Sequence, residues 1–212
     1  NNRDMYIVRT DINGDTLWTK QLGTEYEDML TSIHTLNDST YYLAGSMYSA
    51  DSLVTKGCIM KMDDDGTILW TKTYGYKGNT YINDIHLINS EIVGVGYTDK
   101  YHPTRLYEFY FRLDLDGNII RERYSGSSGE RKALSVVPFE TPNKYYIAYS
   151  LADMWSFPDG HDDIAIARFS DTLHWEQTVA TIAHYEPDFL NQLIPTSDGG
   201  AIAVSYTHLR AH

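Results

Sequence analysis

The sequence predicts an all-β protein built from repeated four-stranded antiparallel units, and two observations support this prediction. Residues 11–20 return about 52 residues later as residues 63–72, more faintly as 114–121, and in degraded form as 171–175. The 18 tyrosines favour strands, and no long window sustains a helical apolar stripe. Periods of roughly 40 to 55 residues with several strands each are typical of β-propeller blades, which are stable only when stacked on neighbours.

Glycines recur with the same period along the chain. Gly66 follows Gly14 by 52 residues, and Gly117 follows Gly66 by 51. A second series falls in step with the first: Gly23, Gly75, Gly126 and, in the fourth copy, Ala180.

Turn residues divide each repeat into four strands, a to d. The predicted strands of the three whole units are 28–36, 41–48, 57–63 and 67–74; 81–88, 91–98, 107–114 and 118–125; and 132–140, 144–151, 162–169 and 172–179. A c–d pair over 5–22 precedes them, and an a–b pair over 188–204 follows. We therefore expect a propeller segment over residues 1–204, with three whole blades and a half blade at each end. We expect an open arc of a ring of about six to eight blades, whose end strands have unpaired edges. A self-closed four-blade ring is the alternative.

The two ends of the chain do not follow the repeat. The chain has no initiator Met and no signal peptide, and residues 205–212 closely resemble translated sequencing-adapter read-through. We expect 205–212 to be a non-native tail and the natural protein to continue on both sides.

Charge and cysteine content limit the possible partners. The net charge is −12, and the 17 basic residues form no stripe, which excludes nucleic acid and anionic membrane surfaces as expected partners. Cys58 is the single cysteine, so no internal disulfide forms. It shares its repeat slot with Tyr6 and Phe109, which predicts a small buried side chain rather than a reactive thiol.

The long loops are the predicted ligand-binding face. The b–c and d–a loops share one end of every unit, and the b–c loops 49–56, 99–106 and 152–161 are long and unlike one another. Binding residues concentrate on such loops, and this predicts a protein or carbohydrate ligand contacting Tyr101, His102, Trp155 and Phe157. Trp155 and Phe157 could instead fold back onto the edge of a blade.

The repeated Asp-Gly segments suggest either calcium loops or turns. Asp11, Asp63 and Asp114 start them, but the distant bidentate Glu of a calcium loop is missing, so we expect c–d hairpin turns. We expect the acidic cluster at 159–163 to be a solvated loop.

Histidine and tryptophan recur at fixed slots. His34 and His86 match each other, whereas Val137 and Leu193 fill the later slots, so a metal ring is not expected. Trp18, Trp70 and Trp175 fit packing between blades, with a ligand-stacking platform as the alternative.

The sequence shows no nucleophile elbow, phosphate-binding glycine loop or metalloprotease helix. We therefore expect no catalytic residue, no cofactor and no metal ligand.

Residues 6–20, Gly23 and residues 196–202 resemble the tandem propeller repeats of large secreted bacterial proteins, many of which end in a type IX secretion sorting domain. The resemblance covers nearly the whole chain up to Val204, with departures at Arg121 and His174. It implies a secreted or cell-surface β-propeller without established catalytic residues.

Two enzyme classes are rivals to a non-catalytic binding or scaffold propeller. In sialidase-type Asp boxes the Trp stands one residue closer to the Gly than Trp18 and Trp70 do here. In quinoprotein repeats the Asp stands one residue further from the Gly than Asp11 and Asp63 do. A glycan-active enzyme and, less favoured, a quinoprotein-like oxidoreductase are therefore the alternatives to a binding module.

Overall fold

A computed structural model describes residues 3–37, 39–75, 77–102, 105–126, 130–139, 144–152, 163–182 and 188–206. These residues form sixteen strands and contain no α-helix, so the all-β prediction is confirmed. None of them belongs to a helix long and apolar enough to cross a bilayer. The strands are β1 (Met5–Thr10), β2 (Thr16–Leu22), β3 (Met29–Asn37), β4 (Thr40–Ser49), β5 (Val54–Asp63), β6 (Ile68–Tyr74), β7 (Thr80–Ile88), β8 (Glu91–Thr98), β9 (Tyr107–Asp114), β10 (Ile119–Ser125), β11 (Glu130–Pro138), β12 (Tyr145–Ala152), β13 (Asp163–Phe169), β14 (Trp175–Ile182), β15 (Phe189–Pro195) and β16 (Ala201–Tyr206).

The strands form three four-stranded antiparallel sheets and two two-stranded ones. Sheet 1 contains β3 to β6, sheet 2 contains β7 to β10, and sheet 3 contains β11 to β14, each in chain order. The N-terminal pair (β1–β2) and the C-terminal pair (β15–β16) belong to separate sheets. The described strands therefore form an open series, and neither pair completes the other.

The sheets pack face to face, and their middle strands are the most deeply buried. In β8 the residues Ile92 to Gly96 are all buried, which explains why a strand of small and β-branched residues lies there. One apolar cluster joins Tyr42 of sheet 1 to Phe111 of sheet 2. A second cluster joins Tyr110 of sheet 2 to Ile147 of sheet 3. Each interface buries faces that a single sheet would expose to water.

Cys58 lies in this interior, as the repeat predicted. Its side chain is 0% exposed, and burial raises the pKa of the thiol to about 12. The thiol therefore stays protonated and acts as a small apolar group.

The Asp-Gly segments are hairpin turns, as expected. Asp63 Oδ1 accepts hydrogen bonds from the backbone amides of Asp65 (3.1 Å) and Thr67 (2.7 Å). Gly66 has a φ of 77°, which an L side chain adopts only with strain. The Asp63 carboxylate thus caps its own turn. The described residues contain no group of three or more His, Cys, Asp or Glu arranged for a metal ion.

We expect calcium to leave the melting temperature of the protein unchanged, because Asp63 already serves the backbone of its own turn. Thermal unfolding with excess calcium, and again with a chelator, measures this. Asp63→Ala should cost about 1 kcal/mol of stability whether or not calcium is present. A chelator-sensitive rise of several degrees that disappears in Asp63→Ala with Asp65→Ala would contradict this prediction, since a bound ion adds stability by mass action.

The fourth copy of the motif lies one residue earlier than the sequence analysis placed it. Ser170, not Asp171, takes the Asp slot, because its Oγ accepts the backbone amide of His174 at 3.2 Å. Leu173 takes the glycine slot with a φ of 59°. The strand predicted at 172–179 therefore begins at Trp175, and the Trp slot of this copy holds Gln177, which pairs with Arg168.

Trp18 and Trp70 pack between sheets, whereas Trp175 is 49% exposed. A Cβ on Gly66 would lie 3.1 Å from Cη2 of Trp18, and a Cβ on Gly117 would lie 2.9 Å from Cη2 of Trp70. Each of these tryptophans therefore lies against the turn glycine of the following sheet. The packing prediction is confirmed for Trp18 and Trp70 and is wrong for Trp175, which stands outside their slot.

The first strands of neighbouring sheets are joined by a line of polar side chains that the sequence analysis missed. Asp84 Oδ1 accepts a hydrogen bond from Ser32 Oγ at 2.8 Å. Asp84 Oδ2 accepts one from Ser135 Oγ at 2.7 Å and one from the backbone amide of Val136 at 3.1 Å. The series continues to the C-terminal pair, where the Leu193 amide donates to Ser135 Oγ at 3.2 Å. These contacts hold sheets 1, 2 and 3 and the C-terminal pair in one register.

The same line of contacts corrects one repeat slot. The Val136 amide donates to Asp84 of the preceding sheet, and the Leu193 amide donates to Ser135 of the preceding sheet, so Leu193 corresponds to Val136. Ile194, and not Leu193, therefore takes the slot of His34 and His86. The two imidazole rings are in contact, with centroids 4.5 Å apart. Burial lowers the pKa of both rings, and Val137 and Ile194 add no ligand atom.

Candidate ligand-binding site at the long-loop end

The order of strands in each sheet places two kinds of connection at opposite ends. The a–b and c–d turns are short, and the c–d turns contain the Asp-Gly segments. The b–c and d–a loops lie at the other end, which we call the long-loop end. In sheet 2 these loops are 99–106, between β8 and β9, and the segment that precedes β7.

The loop after β8 is fastened at its base. The side-chain amide of Asn79 donates to Asp99 Oδ2 at 2.8 Å, and the Asp99 amide donates to the Asn79 carbonyl at 3.1 Å. Asn79 also accepts the amide of Thr55 from sheet 1 at 2.9 Å. Lys100, the next residue, donates its amide to Thr98 Oγ1 at 3.1 Å. The backbone that carries Lys100 and Tyr101 is therefore held to both sheets.

Three tyrosine rings meet above this base, and we call them the Tyr101 cluster: Tyr101, Tyr107 and Tyr124. The Tyr101 ring packs edge-on against Tyr107, with centroids 5.2 Å apart at 76°. It also packs edge-on against Tyr124, with centroids 5.8 Å apart at 88°. Tyr101 is 57% exposed, whereas the other two rings are partly buried. The cluster thus presents two perpendicular aromatic walls toward solvent.

The Lys100 ammonium lies against these walls. Its Nζ is 4.0 Å from the centroid of Tyr124 and 5.3 Å from that of Tyr101. Tyr124 also stacks on the buried Phe109, with centroids 5.0 Å apart at 18°. Because a cation is attracted to the negative face of an aromatic ring, the site is electrostatically suited to a positive group.

Tyr124 stays a neutral phenol at physiological pH. Burial raises the pKa of its hydroxyl above the usual value, and the nearby Glu122 carboxylate raises it further. The Tyr124 hydroxyl donates to Glu122 Oε2 at 3.4 Å. The ring face and the adjacent carboxylate together favour a bound cation over an anion.

Further tyrosines lie at the same end. Tyr26 contacts Tyr48 with centroids 4.3 Å apart, and Tyr81 stacks on Tyr97 at 4.8 Å, with Lys132 Nζ at 5.5 Å from the Tyr97 centroid. A cavity of about 380 Å³ lies beside the first pair, and its lining includes Tyr26, Tyr48 and Tyr81.

The four predicted ligand-binding residues differ in where they lie. Tyr101 forms the cluster described above. His102 is exposed in the same loop, where its amide donates to the Asp99 carbonyl at 3.0 Å and its carbonyl accepts the Arg105 amide at 3.1 Å. Trp155 and Phe157 lie outside the described residues. Lys100, Tyr107 and Tyr124 were missed, since only the pairing of β9 with β10 brings the last two together.

A buried carboxylate elsewhere is the strongest candidate for acid chemistry. Glu108 is 2% exposed and lines a cavity of about 300 Å³ together with Tyr110 and Arg131. Burial raises the pKa of its carboxyl, while Arg131, Tyr110 and Ser125 act in the opposite direction. Glu108 is the single carboxylate among the described residues that line this cavity, whereas glycoside hydrolysis commonly uses two.

The larger cavity beside the first strands does not supply a carboxylate pair either. It measures about 570 Å³, and Asp84 is the only carboxylate among its described lining residues. Both Asp84 oxygens accept the hydrogen bonds that join the sheets. This carboxylate therefore has a structural role in the described part of the chain.

Comparison with known proteins identifies no family for this chain. No family model matches the chain, and no curated protein sequence matches it. Among solved structures, the crystal structure of Sqt1 from Chaetomium thermophilum is similar at 16% sequence identity and a TM-score of 0.41. The match covers 81% of this chain and 39% of that one, so the chain spans well under half the length of the solved protein. A likeness of this size carries no functional argument.

Proposed function

We propose that the chain is a segment of a secreted or cell-surface β-propeller that acts as a non-catalytic binding module, with its ligand at the long-loop end. Support for a propeller comes from four-stranded sheets that recur with the sequence repeat and from the bonds of Asp84 to Ser32 and Ser135, 52 and 51 residues away. Support for an extracellular location comes from the resemblance to secreted bacterial repeats.

The Tyr101 cluster is the observation that carries the binding role. Tyrosine combines a large apolar surface with a hydroxyl, and few rotatable bonds are lost when it contacts a partner. Protein and carbohydrate ligands both suit such a surface. A phosphate backbone does not, given the net charge of −12.

Substitutions at the two ends of the molecule test this proposal. Glycan and protein panels are screened with the unmodified chain. The affinity for every ligand found is then measured again with Tyr101→Ala and with Ile12→Ala. Ile12 is 100% exposed in a c–d turn at the opposite end, which makes it a matched control. We expect Tyr101→Ala to weaken binding about tenfold or more and Ile12→Ala to have no effect.

Two outcomes would contradict the proposal. A ligand that depends on Ile12 but not on Tyr101 would place binding at the short-turn end. Turnover of glycosides or of alcohols with a quinone cofactor would replace the binding module with one of the enzyme classes.

A further inference from the structure

The geometry points to a cation-binding cage in the Tyr101 cluster, with the chain's own Lys100 ammonium as its resident and a methylated ammonium group as its external ligand. This inference rests on the proposed function, because it names the ligand chemistry of the same site. The shared chemistry is a quaternary or trimethylated ammonium, as found in trimethyllysine side chains and in choline headgroups.

The walls of the cage are preformed by contacts between aromatic rings, and this is the first argument. Tyr124 is stacked on Phe109, which is 1% exposed, so the plane of its ring has a fixed direction. Tyr101 meets it at 88° and also contacts Tyr107. A preformed pair of perpendicular aromatic faces costs little ordering on binding.

The position of Lys100 is the second argument. Its Nζ is within cation–π distance of both walls, so the site already binds a positive group. The tether is local, because the Lys100 amide is fixed on Thr98 while the side chain has four rotatable bonds. A lysine ammonium is strongly hydrated and returns to water readily. A methylated ammonium is weakly hydrated and returns to water less readily. An external methylated cation can therefore displace Lys100.

The charge around the cage is the third argument. Glu122 lies beside Tyr124, and Asp99 lies at the base of the loop. The chain as a whole has a net charge of −12, which attracts cations at low ionic strength. The site thus combines ring faces with acidic neighbours and excludes anionic ligands.

Titration with tetramethylammonium chloride, against sodium chloride at equal ionic strength, tests the inference on the full chain. The readout is the chemical shift of the Lys100 side chain and of the cluster tyrosines. In the unmodified protein the ring current of Tyr124 should shift the Lys100 methylene signals away from the values of a free lysine. Added tetramethylammonium should return these chemical shifts toward the free values. Lys100→Ala should bind about three- to thirtyfold more tightly, because the internal competitor is gone. Adding Tyr124→Leu to that variant should abolish the gain.

Lys132→Ala is the matched control, since Lys132 lies over the single ring of Tyr97. It should not change the affinity for tetramethylammonium. A trimethyllysine peptide compared with its unmodified form, and phosphocholine vesicles compared with phosphatidylglycerol vesicles, then distinguish the two natural sources.

The inference is overturned if Lys100→Ala gains no affinity, if Tyr124→Leu leaves the affinity of that variant unchanged, or if sodium is as effective as tetramethylammonium. The Lys100 signals of the unmodified protein decide the matter even where a variant unfolds. If the cage inference fails while other ligands still depend on Tyr101, the proposed binding module stands without the cage.

Discussion

Asp84→Ala is expected to lower the free energy of unfolding by about 3 kcal/mol, because one carboxylate joins three sheets. It accepts bonds from Ser32 of sheet 1 and from Ser135 and Val136 of sheet 3. Removing it leaves a backbone amide and two hydroxyls without their acceptor. Urea unfolding of the variant and of the unmodified chain measures the loss.

Two further substitutions separate this effect from a general effect of charge. Asp84→Asn keeps an acceptor oxygen and the same shape, so it should lose clearly less stability than Asp84→Ala. Asp116→Ala, at an exposed turn position, should change stability by no more than about 0.5 kcal/mol. Equal losses in Asp84→Ala and Asp116→Ala would show that the line of contacts contributes nothing to stability.

The second large effect is expected at Gly96. A Cβ on this glycine would lie 1.9 Å from the carbonyl oxygen of Tyr81 and 3.0 Å from Cα of Ile82, so backbone would have to move. The close approach follows from the irregular register of β7 between Ile82 and Asp84. We expect Gly96→Ala to cost about 3 kcal/mol or more in urea unfolding.

Gly14→Ala is the matched control for that substitution. Gly14 has a φ of 91°, but a Cβ there would meet nothing within 4 Å, so the expected cost is about 1 kcal/mol. An equal cost at both glycines would mean that β7 shifts freely away from β8. Gly45 repeats the close approach in sheet 1, with a Cβ 1.9 Å from the Met29 carbonyl, whereas sheet 3 has Tyr149 in this slot.

The sequence repeat was sufficient to predict most strands, but it failed in the fourth copy for a physical reason. The turn requires a side-chain acceptor for the backbone amide four residues later and a residue with positive φ. Asp and Gly meet these requirements in the first three copies, and Ser170 and Leu173 meet them in the fourth. Because Asp171 directly follows Ser170, the Asp-Gly pattern predicted this turn at Asp171 and gave Trp175 the wrong slot.

The candidate site was less predictable than the fold. Tyr101 was accessible to sequence reasoning because it lies in a long loop of a regular repeat. Lys100 lies in the same loop and was overlooked, whereas Tyr107 and Tyr124 had no such signal, since the end of β10 meets the start of β9 only through sheet pairing. The polar line through Asp84 did have a signal, because a polar residue recurs at one strand position in Ser32, Asp84 and Ser135.

The polar line also has a consequence for how the molecule can change in length. Each of its bonds joins a residue to one in the next repeat, as for Ser32 and Asp84, 52 residues apart. Duplication of one whole repeat would therefore create one more interface of the same kind and leave the others intact. Loss or gain of one residue within a strand would instead shift the polar position to the opposite face. Evolution of such a chain is consequently easiest in steps of one entire unit.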